Sequence, residues 1–161
     1  MNEKKRVLMI CLGNICRSPI AEAVFQDQIN KLKLADRWEV RSAALVQYHL
    51  HKPPDSRTLS VLRDNGIINY IHKVKQIDQQ DFYKYDYIFG MDNENIKSLN
   101  RLKPNDCKAK IELLGKYDPQ QEIIIRDPYY VEFYDMNIEG FKKVYEQCVR
   151  SIVAFLEQHK T

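Results

Sequence analysis

The chain has 161 residues, about the size of one ordinary domain. Hydrophobic residues make up 44% of it and charged residues 29%, which excludes a disordered or fibrous chain. A net charge of +3, with the basic residues scattered along the sequence, excludes a nucleic-acid footprint and still suits an anionic substrate.

The opening "MNEKKRVLMICLGN" holds an apolar run of about six residues, too short for a signal peptide or a membrane span, so a cytoplasmic protein is expected. Residues 6–10 read as a first buried strand. Helical period follows Ser18, with Ala21, Phe25, Ile29 and Leu32 on one face. Residues 38–42 read as a second strand. "PDSRTLSVLRDNG" reads as a helix stopped by Gly66, residues 85–91 as a third strand, and "DNENIKSLNRL" as a helix starting on Asp92. Residues 111–114 supply a fourth strand. Phe141, Val144, Tyr145, Cys148, Ile152 and Phe155 form the apolar face of a last helix. No linker or low-complexity tract interrupts the alternation. It predicts a single α/β domain over residues 1–161, a doubly wound, mainly four-stranded parallel sheet with helices on both faces. Ligands bind such sheets at the carboxyl ends of the strands.

That rule draws attention to "CLGNICRSP". If residues 6–10 are the first strand, residues 11–17 leave its carboxyl end and enter a helix near Ser18 and Pro19, with proline suited to the first turn. Successive backbone N–H groups of such a loop, with the positive end of the helix, can surround a tetrahedral oxyanion. Gly13 permits close approach or positive φ, and Asn14 tolerates a left-handed conformation. Cys11, at the strand end, lies under the centre of this ring of amides, whereas Cys16 lies on its rim. Cys11 is therefore the candidate nucleophile. The cradle, the helix dipole and Arg17 all favour thiolate over thiol. Arg17 offers a planar fork for two phosphate oxygens, and Ser18 can hydrogen-bond the Cys11 sulfur. The four cysteines, at 11, 16, 107 and 148, have no zinc-like spacing, and reduced thiols are the default without a secretory signal. Cys107 and Cys148 read as structural.

The string "CLGNICRS", with C-x5-R-S, and "DPYY" at residues 127–130 resemble the two hallmarks of the low-molecular-weight protein tyrosine phosphatases. "SAA" at 42–44, "PPD" with Arg57, "YDYIFGMD", "CKAKIELLG" and "YDPQ" extend the resemblance over nearly the whole chain. It implies a phosphate-binding loop made of Cys11, Leu12, Gly13, Asn14, Ile15, Cys16, Arg17 and Ser18. Cys11 would be the nucleophile, Arg17 the phosphate clamp and Asp127 the general acid and base, with no cofactor and no metal. Asn14, Ser42 and His72 resemble the family residues that hold the loop in shape; the match of His72 assumes a one-residue insertion in "GIINYIHKVKQ". Tyr129 and Tyr130 would wall a slot deep enough for an aryl phosphate, with Tyr48 opposite. The implied partners are phosphotyrosine-containing proteins and inorganic phosphate or similar oxyanions, and acid phosphatase activity is implied with them. Cys16 would be placed to capture an oxidised Cys11 as a disulfide.

Each of these residues also has a plainer reading. A lone cysteine is most often a small buried hydrophobe, and an aspartate before proline is a turn residue. It is the register of Gly13, Asn14, Arg17 and Ser18 with Cys11 that favours chemistry. Arsenate reduction on the same fold would need further cysteines near the loop, and "QQDFYKYDYIFG" has none. A silent phosphotyrosine-binding module would be expected to lack Cys11, Arg17 or Asp127. The chain departs from the family pattern at "LVQ" (45–47), at His49 and His51, and in the apolar "VEFYDMNIEG" after "DPYY", which could crowd the site.

Overall fold

The computed structural model describes residues 3–130 and 138–160, with the backbone alone for Tyr130. Four strands, β1 (Lys5–Cys11), β2 (Trp38–Ala44), β3 (Tyr87–Gly90) and β4 (Lys110–Leu113), form one sheet in the order β2-β1-β3-β4. All three pairings are parallel, with Cys11 opposite Ala44 and Met9 opposite Phe89. The helices are α1 (Arg17–Lys31), α2 (Ser56–Asp64), α3 (Asp81–Lys84), α4 (Asn93–Leu102) and α5 (Glu139–Gln158).

Alternation along β1 divides the core in two. Val7 and Met9 pack with Phe25 and Ile29 of α1, Val61 and Leu62 of α2, and Val144, Ile152 and Phe155 of α5. Leu8 and Ile10 pack on the other face with Phe82 of α3 and Leu99 of α4. Phe155 lies edge-on to Tyr87, Phe89 and Trp38, with ring centroids 5.1, 5.2 and 5.3 Å apart, an arrangement that adds electrostatic preference to burial. The doubly wound architecture is as the sequence implies. β1 is central, and the chain leaves it toward β2 on one side and returns to β3 on the other. Its carboxyl end, at Cys11, is the switch point where the fold opens a crevice.

Local chemistry explains the boundaries. Asp92 caps α4 by accepting from Asn95 N at 2.8 Å, and Asp55 caps α2 by accepting from Arg57 N at 2.8 Å. Gly66, at φ 86°, ends the turn after α2 in a conformation that costs glycine least. Several details differ from the sequence expectation: β1 and β2 run on to Cys11 and Ala44, past the expected ends at residues 10 and 42. Leu32 is 52% exposed because it is the C-cap of α1, where the helical period no longer applies. β3 is shorter than residues 85–91, since Tyr85 ends the one-turn helix α3. Leu114 lies beyond β4 and opens a 3-10 turn, Leu114–Tyr117. Among the described residues, no helix is long and apolar enough to cross a membrane.

Candidate active site

β1 ends at Cys11 and α1 begins at Arg17, so residues 12–16 form the whole connection. The loop turns back on the Cys11 sulfur, which receives Asn14 N at 3.3 Å and Ser18 N at 3.4 Å and lies 3.0 Å from Ser18 Oγ. Ser18 N belongs to the first turn of α1, whose amides have no helical partner, so the positive end of the helix faces the sulfur. Asn14 takes the left-handed conformation, at φ 59°. Gly13 does not; a Cβ there would lie 3.0 Å from Cδ2 of His49, so this glycine provides room for the rim.

Behind the loop lies a buried polar network. Asn14 Nδ2 donates to Ser18 Oγ at 2.7 Å and Ser42 Oγ at 3.0 Å, and its Oδ1 lies 2.7 Å from His72 Nε2. Ser42 Oγ donates to Glu22 Oε1 at 2.6 Å. The carbonyl of Ile15 is held from outside by Asp55 N at 3.0 Å and Thr58 Oγ1 at 2.8 Å. These bonds fix the loop without any ligand.

Arg17 is 2% exposed. Its Nη1 donates to Asp92 Oδ2 at 2.6 Å and to the Ile125 carbonyl at 3.0 Å, and its Nη2 reaches Asp127 Oδ2 at 3.4 Å. Burial alone would ease its deprotonation, but the neighbouring Cys11 and Asp127 and the hydrogen bond to Asp92 more than compensate and hold it charged. Its buried Nε has no hydrogen-bond partner among the described residues. The second oxygen of Asp127 accepts from Tyr129 N at 3.0 Å, which fixes the carboxyl at the mouth.

The mouth is lined by Cys11, Leu12, Gly13, Ile15, Cys16, Tyr48, His49, Asp127 and Tyr129. Tyr48 is 68% exposed and Tyr129 41% exposed, and the Tyr129 ring meets His49 edge-on at 6.0 Å. Cys16 is the N-cap of α1, with its thiol buried. Burial, reinforced by the charges of Cys11, Asp55 and Asp127 and only partly opposed by Arg57, pushes this thiol far up and keeps it protonated. The side chain of Tyr130 and residues 131–137, most of the "VEFYDMNIEG" segment that could crowd the site, lie outside the described residues.

A family model described as low molecular weight phosphotyrosine protein phosphatase matches residues 6–161. The chain belongs to this family. It is 50% identical over 157 residues to the human protein of that name, a match that covers 96% of this chain and 95% of the relative. Among solved structures, Primo-1 superposes with a TM-score of 0.90 at 44% identity, over 98% of this chain and 99% of its own. A protein titled DARP, drosophila arginine phosphatase, superposes with a TM-score of 0.86 at 35% identity, over 96% and 98%.

The described residues that the phosphatase resemblance singles out lie at this crevice or, like Ser42 and His72, in the polar network behind its loop. Three others were missed. Asp92 was read only as a helix cap, yet its other oxygen binds Arg17. Glu22 and Tyr70, joined by a hydrogen bond of 2.6 Å, close the polar network from behind. A glutamate on the otherwise apolar face of α1, beside Ala21 and Phe25, was the available signal for Glu22. Nothing in the local sequence marks Tyr70.

Proposed function

We propose that residues 1–161 are one protein tyrosine phosphatase domain that hydrolyses protein phosphotyrosine and small aryl phosphates through a phosphocysteine. The observation that carries this reading is the Cys11 sulfur, met by two amides and a hydroxyl at the positive end of α1 with a buried arginine beside it. The amides and Arg17 hold the three non-bridging phosphate oxygens. The Cys11 thiolate attacks phosphorus, the bond from phosphorus to the ester oxygen breaks, and Asp127 passes its proton to the departing phenolate. Water then attacks the thiophosphate; Asp127 takes its proton, the S–P bond breaks, and inorganic phosphate leaves with the thiolate restored. Ser18 donates to the sulfur and eases that departure. The step needs no metal, because Arg17 and the amides supply the positive charge.

The slot supports an aryl ester. Leu12 and Ile15 give it an apolar lining and Tyr48 and Tyr129 its aromatic walls; a neutral aryl ring gains by burial there, whereas a guanidinium must first shed its water, with Asp127 as its carboxylate partner on the lining. Phosphotyrosine peptides are therefore expected to outcompete phosphoarginine. Four free thiols suit a reducing compartment, the cytoplasm. The test is hydrolysis of p-nitrophenyl phosphate and a phosphotyrosine peptide in a chelator: the native chain turns both over, and Cys11→Ser abolishes it. Persistent turnover in Cys11→Ser would remove the covalent mechanism.

A further inference from the structure

We propose that Tyr70 is a positioning residue for the Cys11 loop, its hydroxyl holding the Glu22 oxygen that the His72 ring would otherwise claim. The proposal rests on the active-site reading above and deepens it.

Three groups converge on Glu22 Oε1. Tyr70 donates its phenol proton at 2.6 Å, Ser42 donates its hydroxyl proton at 2.6 Å, and His72 Nδ1 stands 3.5 Å away. The Tyr70 ring stacks on the His72 ring, centroids 6.0 Å apart and 19° from parallel, so phenol and imidazole approach the same carboxylate side by side. Proton direction through the network follows from the acceptors at its two ends. Ser42 spends its single proton on Glu22, so its oxygen faces the Asn14 amide. Asn14 gives its two amide protons to Ser42 and Ser18 and turns its oxygen to His72, which must donate from Nε2. Ser18, accepting from Asn14, sends its own proton to the Cys11 sulfur. One orientation error at Glu22 would propagate to the nucleophile.

His72 with its proton on Nε2 presents a bare lone pair from Nδ1 to Glu22. That facing pair is tolerable because Tyr70 and Ser42 already donate to the carboxylate. The groups around His72 are Glu22 on α1, Asn14 on the loop, Ser42 on β2 at 3.4 Å, Tyr70 beside it, and Lys75 on its own segment. Burial holds the ring below the usual imidazole range; Glu22 opposes this and Lys75 assists it. Without the phenol, a proton on Nδ1 becomes the replacement donor to Glu22 among the described side chains around it. Tyr70 and a protonated His72 are thus alternative occupants of one site. The phenol, which titrates far above neutrality because burial and Glu22 push it up, does the task at every working pH.

The test is Tyr70→Phe, which keeps the stacked ring and removes one oxygen. His72 ring resonances are titrated by NMR, and kcat/KM for p-nitrophenyl phosphate is measured from pH 5 to 8 as a ratio to the native chain. The His72 midpoint is expected to rise by about one pH unit. The activity ratio should stay near one at acidic pH, where protonated His72 donates to Glu22. It should fall by a factor of about three to ten above the new midpoint, the worth of one net hydrogen bond. In Glu22→Gln/Tyr70→Phe, which lacks the carboxylate, the midpoint should return to the native value or below. An unmoved midpoint in Tyr70→Phe, a midpoint still raised in the double variant, or an activity loss equal at all pH values would overturn the proposal. The NMR titration does not depend on turnover, so it remains decisive even if Cys11→Ser disproved the covalent mechanism.

Discussion

Two arginines in this molecule sit between two carboxylates, and they are built for opposite ends. Arg150 of α5 lays Nε and Nη2 side-on against both oxygens of Asp118, each at 3.0 Å, and Nη2 also reaches Glu122 at 3.1 Å. Arg17 meets Asp92 and Asp127 through one oxygen each, from different nitrogens, and its buried Nε is left over. Arg150 binds one carboxylate edge to edge, which ties the segment after β4 to the last helix. Arg17 is oriented by its carboxylates without being used up, and it lies beside the sulfur. An arginine between two carboxylates therefore makes a clasp in one place and, on the proposed reading, a receptor in the other. The difference lies in where the unspent donors sit: Arg17 is 2% exposed and keeps a buried Nε without a partner among the described residues, whereas Arg150 is 21% exposed.

The sharpest way to break this comparison is to remove each arginine in turn. Arg17→Ala is expected to cut kcat/KM for aryl phosphates by about 1,000-fold, the scale of losing a fixed oxyanion donor, while the chain stays folded. Arg150→Ala should leave turnover unchanged and destabilise the chain by about 2 kcal/mol in urea, because the buried Asp118 carboxylate is left uncompensated. Equal losses of activity in the two variants would erase the distinction.

The carboxylates can be separated in the same manner. Asp127→Asn is expected to slow esters of poor leaving groups by about a hundredfold or more and to spare esters that need no proton. Equal slowing of both classes would leave Asp127 as a partner of Arg17 and nothing else. Asp118 should respond to pH instead. Burial by itself would raise its carboxyl, but the Arg150 fork and the Gln120 amide outweigh burial and hold it below the usual range. A depressed folded value means that the unfolded chain takes up the proton first as pH falls. The stability Asp118 gives is therefore fully present above the unfolded value of about 3.9 and is lost as pH drops through the folded one. Urea midpoints from pH 6 to 2.5 should fall more steeply in the native chain than in Asp118→Asn.

The smallest effect concerns Cys16. Peroxide should inactivate the native chain, dithiothreitol should restore it, and Cys16→Ser should recover less. Because burial keeps the Cys16 thiol protonated, capture of an oxidised Cys11 should be slow at neutral pH and faster in alkali. Equal recovery, with no peptide linking the two cysteines, would make Cys16 a cap residue only.

The loop was legible in the sequence because thiol, glycine, asparagine, arginine and hydroxyl are contiguous from Cys11 to Ser18, and the strand and helix around them repeat with strong periods. Its supports were legible only where a short motif carried them, as in "SAA" for Ser42. Asp92 lies 75 residues from Arg17, and Tyr70 lies 48 residues from Glu22, so no local pattern joins them. The four-residue α3 is too short for any period to show. Leu32 fits the apolar stripe of α1 by count, but the helix stops beneath it.

The loop bends back on Cys11 through its own hydrogen bonds, with Asn14 left-handed and Ile15 pinned from α2. The entropy of shaping an anion hole is spent when the chain folds, so little remains to be spent when an anion arrives. A receptacle finished in advance recognises the tetrahedron and not what hangs from it. The released product fits as well as the headgroup of the substrate, and selectivity falls to the walls outside. On the proposed reading, a phosphate-rich fluid is expected to throttle the catalyst with its own product, so that its pace follows the phosphate level around it.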